Sequence, residues 1–135
     1  MTRVGRKVRT SRVLVSVRGT LAIAYCEGTL DRPSVENLVD RLRSLASQGV
    51  RGFVCSLERV QHVHFQALDP LLRMQQTLHA SGGRLVLVDA SPYVRQILDF
   101  GGVPRHLSLV EDKHQAVWQV LQGMDASLEL QTTAT

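Results

Sequence analysis

No run of about 18 apolar residues occurs in this chain, which argues against a membrane-spanning helix. The basic start is not followed by the apolar segment of a secretory signal, so the expected location is the cytoplasm. Cysteine is scarce: Cys26 and Cys55 sit inside apolar, strand-like stretches without a Cys-x-x-Cys spacing. Free buried thiols are expected, not a disulfide or metal ligands. There is no Gly-x-Ser-x-Gly elbow, no Gly-x-x-x-x-Gly-Lys phosphate loop and no catalytic cysteine context. An enzyme is therefore not expected. Internal repeats and long linkers are also missing, and 135 residues with 44% hydrophobic content suit one domain with a real core.

What is present begins with an uneven charge. Arg3, Arg6, Lys7, Arg9 and Arg12 hold 5 of the 16 lysines and arginines, whereas all 12 acidic residues come later. From Val13 onward, 11 basic residues face 12 acidic ones, so the body is close to neutral despite a pI near 9.7. The basic arm could make weak contact with an anionic surface. It has no interleaved aromatic residues on which bases would stack, so specific nucleic-acid binding is not expected. Residues 1–10 read as a solvated arm, 11–122 as the domain, and 123–135, which lose periodicity, as a flexible tail.

Along the domain, Val13, Val15 and Val17, then Leu21, Ile23 and Tyr25, alternate with other residues around Arg18-Gly19-Thr20, predicting a strand, tight turn and strand. Asp31 and Arg32 precede Pro33, a residue favoured at a helix start. Val35, Leu38, Val39, Leu42 and Leu45 then recur at helical spacing up to Gly49. Phe53 to Leu57 reads as a central strand covered on both faces. A turn from His62 to Ala67 leads into a helix whose buried side is Leu68, Leu71, Leu72, Gln75 and Leu78, stopped by Ser81-Gly82-Gly83. A strand from Arg84 to Asp89, a helix from Pro92 to Phe100, a short strand near Leu107 to Val110 and a helix from Glu111 to Leu121 complete the alternation. Trp118, among Val117, Val120 and Leu121, is expected in the core. The pattern implies an α/β fold: a mixed, mostly parallel sheet of about five strands flanked by about four helices.

Several patterns occur in a particular order. Glu27-Gly28-Thr29-Leu30-Asp31 precedes a helix, and Gly-Phe-Val-Cys-Ser-Leu at 52–57 runs through the 62–67 turn into another. Ser81-Gly82-Gly83 then opens a strand, and Ser91-Pro92 opens a helix that closes on Phe100-Gly101-Gly102. From Ser11 to Gln122 this resembles the STAS family, the anti-sigma-factor antagonist domain also found on sulphate transporters. The resemblance implies a noncatalytic interaction module of bacterial regulation, whose partner is a regulatory protein such as an anti-sigma-factor kinase or a larger signalling complex. Two alternatives are a cytoplasmic accessory subunit of a membrane lipid or anion transporter, suited by the basic arm, and a small-ligand or nucleotide-binding domain. No cofactor is implied.

The family typically carries Asp-Ser at the turn, the serine being phosphorylated by a partner kinase. Here His64-Phe65 occupies that pair, Ser56 stands where an aspartate usually ends the central strand, and Ala67 replaces a common glycine. A phenyl ring cannot accept a phosphoryl group, so the usual switch is lost at Phe65. Ser34 and Ser56 are the alternative phosphosites. The resemblance puts partner binding on Asp31, His64, Phe65, Gln66 and Asp69. Asp31 also suits a helix cap, and Phe65 suits either an exposed anchor or a hydrophobic staple against Leu68 or Asp69-Pro70. His62 and His64, two apart on a strand, would project together, but a cation site would need a third ligand from Asp31, Asp89 or His79. No metal site is expected.

Overall fold

The computed structural model describes residues 11–118, 120 and 121. The expected arm at 1–10 and tail at 123–135 lie outside the described residues. Strands β1 (Ser11–Arg18) and β2 (Leu21–Leu30) form the opening hairpin, paired antiparallel from Ser11 opposite Gly28 to Arg18 opposite Leu21. Helix α1 (Arg32–Ser47), β3 (Gly52–Val63), α2 (Asp69–Ala80), β4 (Arg84–Val88), α3 (Pro92–Phe100) and β5 (Ser108–Val110) follow. A last helix, α4, includes residues 113–118, 120 and 121. The five strands stand in chain order, and every pair after the hairpin is parallel. Among the described residues, no helix is long and apolar enough to cross a membrane.

Each crossover from β2 onward steps in the same direction, and crossovers of one hand then place their helices on one face of the sheet. Accordingly Leu38 and Leu42 of α1, Leu71 and Met74 of α2, and Val94 and Leu98 of α3 share one core with Phe53, Leu57 and Leu85. The opposite face is thinner. There Ala116 and Val120 of α4 cover Val54, Val86 and Val88, with Leu21 and Ile23 at the margin. Lys113 anchors the start of α4 beside β2, its ammonium 5.0 Å from the centroid of the Tyr25 ring.

The structure adds the burial pattern of β2 and corrects two sequence expectations, in α2 and at Trp118. In β2, Ala22, Ala24, Cys26 and Leu30 are buried, while Leu21, Ile23 and Tyr25 are partly exposed on the thinner face. The larger side chains therefore serve the less covered side. In α2, Met74 joins Leu71 and Leu78 on the buried stripe; Leu72 is partly buried and packs against the core, whereas Gln75 is not a core residue. Gln75 instead accepts the Leu85 N–H at 2.9 Å, fastening α2 to the start of β4. Trp118 is 63% exposed. It lies about 200° around the helix from Ala116 at 100° per residue, so the face that buries Ala116 and Val120 turns it outward.

Candidate functional site

The site is built where β3 outruns its neighbour. β4 pairs with β3 only as far as Ser56 opposite Val88, whereas β2 continues to Leu30 opposite Val63. The far half of β3 is thus a two-stranded ribbon, which explains how Glu58, Arg59 and Gln61 belong to a strand that the sequence pattern ended at Leu57. It also places His62, expected in a turn, on the strand. At the ribbon's end, His64 N–H donates to the Leu30 carbonyl at 3.0 Å and Ala67 N–H donates to the His64 carbonyl at 2.8 Å. The chain winds through a short 3₁₀ turn, Phe65–Leu68, directly into α2. His64 makes no side-chain hydrogen bond to this turn, so the cap position that a carboxylate or hydroxyl would fill is left unfilled.

Phe65 is 36% exposed. Its ring lies on Gly101 at the end of α3, so close that a Cβ on Gly101 would stand 2.8 Å from the ring carbons. It also meets Phe100 edge to face, the centroids 6.3 Å apart. This seat comes from the end of α3, a partner named by neither sequence reading of Phe65, the exposed anchor or the staple against Leu68 or Asp69-Pro70. At the other end of α3, the Tyr93 hydroxyl and His62 Nδ1 share a hydrogen bond of 2.9 Å, with their rings stacked. His62 and His64 are neighbours, centroids 5.2 Å apart. Among the described residues, no three His, Cys, Asp or Glu side chains gather as metal ligands would.

Asp31 closes a capping box at the start of α1: its carboxylate accepts the Ser34 N–H at 3.1 Å, and the Ser34 hydroxyl accepts the Asp31 N–H at 2.9 Å. These Ser34 hydrogen bonds, aided slightly by nearby His64, hold the Asp31 carboxyl below the usual carboxylate range. Gln66 is exposed, and Asp69 is exposed but paired with Arg73 one turn on, at 3.6 Å. Ser34 and Ser56 are both buried, at 7% and 3% exposure. Phosphorylation of either hydroxyl would require local opening of its helix or strand. Asp89, just past the end of β4 and in the left-handed region at φ 64°, is pushed up by burial and by Glu58.

Between the 62–66 segment and α3 lies an open groove of about 870 Å³, lined by both histidines, Phe65 and one side of α3. The α3 contribution, Tyr93, Gln96, Ile97, Asp99 and Phe100, was missed by the sequence reading. Its signal was present: Tyr93, Gln96, Ile97 and Phe100 recur at i, i+3, i+4 and i+7, beside the buried pair Val94 and Leu98. One helix thus carries two stripes, and only one can face the core.

A sequential, mostly parallel sheet with three helices on one face and a ribbon-borne loop at a helix start defines a small α/β domain of a distinct class. The family model described as "Mlab, STAS domain" matches residues 12–111, and the chain belongs to the STAS domain family. A curated relative, BtrV of Bordetella bronchiseptica, described as a candidate anti-sigma factor antagonist, is 27% identical over 82 residues, covering 61% of this chain and 71% of its own. Among solved structures, the unphosphorylated anti-sigma factor antagonist SpoIIAA of Bacillus superposes with a TM-score of 0.69 at 20% identity, over 83% of this chain and 97% of that one. The murine Solute Carrier 26 member A9 anion transporter shares the fold at 14% identity and a TM-score of 0.65, over 85% of this chain and 22% of its own.

Proposed function

We propose that this protein is a noncatalytic, cytoplasmic partner-binding domain of the anti-sigma-factor-antagonist type, whose contact loop carries a fixed aromatic anchor in place of a phosphorylatable side chain. The observation that carries this reading is Phe65 itself. It sits at the helix start, its ring partly exposed and held by Gly101 and Phe100. An aromatic ring held in place loses little conformational freedom on binding, and such residues supply hot spots of about 2 kcal/mol or more. On this reading Asp31, His64, Gln66 and Asp69, which lie on the loop and at the two helix starts, supply the polar rim of the contact. The partner on this reading is a regulatory protein such as an anti-sigma-factor kinase or a larger signalling complex, and control comes from protein abundance or from the partner's state.

The test compares partners captured from native cell extract by the wild-type chain and by Phe65→Asp, after circular dichroism shows that both fold. A regulatory protein recovered by the wild type and lost with Phe65→Asp is the expected result. Equal recovery by both would remove the loop from the binding surface, and phosphate at Ser34 or Ser56 that alters recovery would overturn the unswitched reading.

A further inference from the structure

The exposed stripe of α3 is a feature that the loop alone does not account for. Phe100 is 86% exposed and Tyr93 is also exposed, with Ile97 half-buried between them. From Tyr93 to Phe100 the stripe runs about 10 Å along the helix, two turns at 1.5 Å per residue. Phe65 continues it on one flank, and His62 fixes the Tyr93 ring at the far end. Apolar residues at i, i+4 and i+7 beside a trough are the half-seam into which a second helix packs its own ridge of side chains. A shallow open groove of this shape fits a rod better than a compact molecule.

Charge narrows the occupant further. Asp99 lies in the groove wall, and among the described residues it has no salt-bridge partner. Asp99 is the acidic residue of the groove lining; Asp31 and Asp69 lie outside that lining, and Asp69 is paired with Arg73. A helix entering here with lysine or arginine beside its apolar ridge meets complementary charge, whereas an acidic one is repelled.

Resting on the reading of the loop as the contact surface, we propose that the groove between Phe65 and the Tyr93–Phe100 stripe seats a cationic amphipathic helix of the partner protein, with Asp99 selecting its charge. The probes are two stapled helical peptides of about 15 residues with the same leucines at i, i+4 and i+7, one flanked by lysines and the other by glutamates. Each is titrated into the ¹⁵N-labelled full chain and followed by NMR and fluorescence anisotropy. The lysine peptide is expected to shift the amides of Phe65 and residues 93–100 and to bind about tenfold more tightly than the glutamate peptide. Asp99→Lys should abolish or invert that preference, and Phe100→Ser should weaken the lysine peptide about tenfold. Both residues are exposed, so the variants should fold. Equal affinity for the two peptides, shifts confined to other surfaces, or no binding at about millimolar concentration would each overturn the proposal. The loop reading fails separately: Phe65→Asp would retain its captured partner even though the lysine peptide occupied the groove.

Discussion

Ser34 illustrates how one small side chain can carry a local structure. Its hydroxyl accepts the Asp31 N–H and lies within donor reach of the Asp31 and Thr29 carbonyls, at 3.0 and 3.2 Å. Ser34→Ala leaves a partly buried N–H without this partner and should cost about 1–2 kcal/mol in urea unfolding. The Asp31 half of the box depends on charge. Because its folded pKa is lowered, the carboxylate stabilises the fold above its unfolded pKa of about 3.9 and loses that contribution as pH falls through the lower folded value. Asp31→Asn has no carboxyl to titrate at this position. The stability gap between wild type and Asp31→Asn should therefore be present at pH 7 and close as pH drops below about 4. Unfolding curves at both pH values check this, and a gap that stays constant would mean that the carboxylate charge is not its source.

At the scale of the element, two glycines set how closely neighbouring segments meet. A Cβ on Gly101 would strike the Phe65 ring at 2.8 Å, whereas one on Gly83 would strike the Arg51 carbonyl oxygen at 2.6 Å. Phe65 is at the surface, but its own Cβ lies 2.9 Å from that position, so the backbone of the 65–68 turn must shift along with the ring. The carbonyl is fixed because it accepts the Arg84 N–H at 2.9 Å at the start of β4. Gly101→Ala should thus cost about 2 kcal/mol and displace Phe65 with its exposed turn, while Gly83→Ala should cost about 3 kcal/mol by forcing the paired backbone apart. Urea midpoints in the opposite order would contradict this account. The same elements show what the sequence could convey. α3 was legible from Ser91-Pro92 to Phe100 because capping chemistry and helical spacing agree there. β3 was cut short because a strand paired only with β2 has no need of a continuous apolar run. The loop was located through the order of motifs, but its Gly101 seat and the α3 wall join residues more than 25 positions apart, and local periodicity carries no information about such pairings.

Across the whole molecule, the sheet interior holds two groups whose chemistry opposes folding at high pH. Cys26 on β2 and Cys55 on β3 face the larger core, both free and buried. Burial pushes the Cys26 thiol up to about 12 and raises Cys55 well above the ordinary range, with Cys26 adding to the effect. In the unfolded chain each thiol releases its proton near pH 8.5, while the folded chain still holds it. The unfolded state then binds fewer protons, so stability falls as pH rises above that value, by up to about 1.4 kcal/mol per pH unit for each thiol. The loss continues until pH reaches the folded pKa values. Replacing both residues with alanine removes this linkage and leaves the other titrating groups in place. The double variant starts from a lower stability because two buried side chains are shortened, so the quantity compared is the slope of stability against pH. Between about pH 8.5 and 10 the wild type should lose stability more steeply than Cys26→Ala/Cys55→Ala, by up to about 3 kcal/mol per pH unit. Parallel slopes in urea titrations across that range would show that the thiols ionise as readily in the fold as outside it, and that the sheet interior is open to solvent.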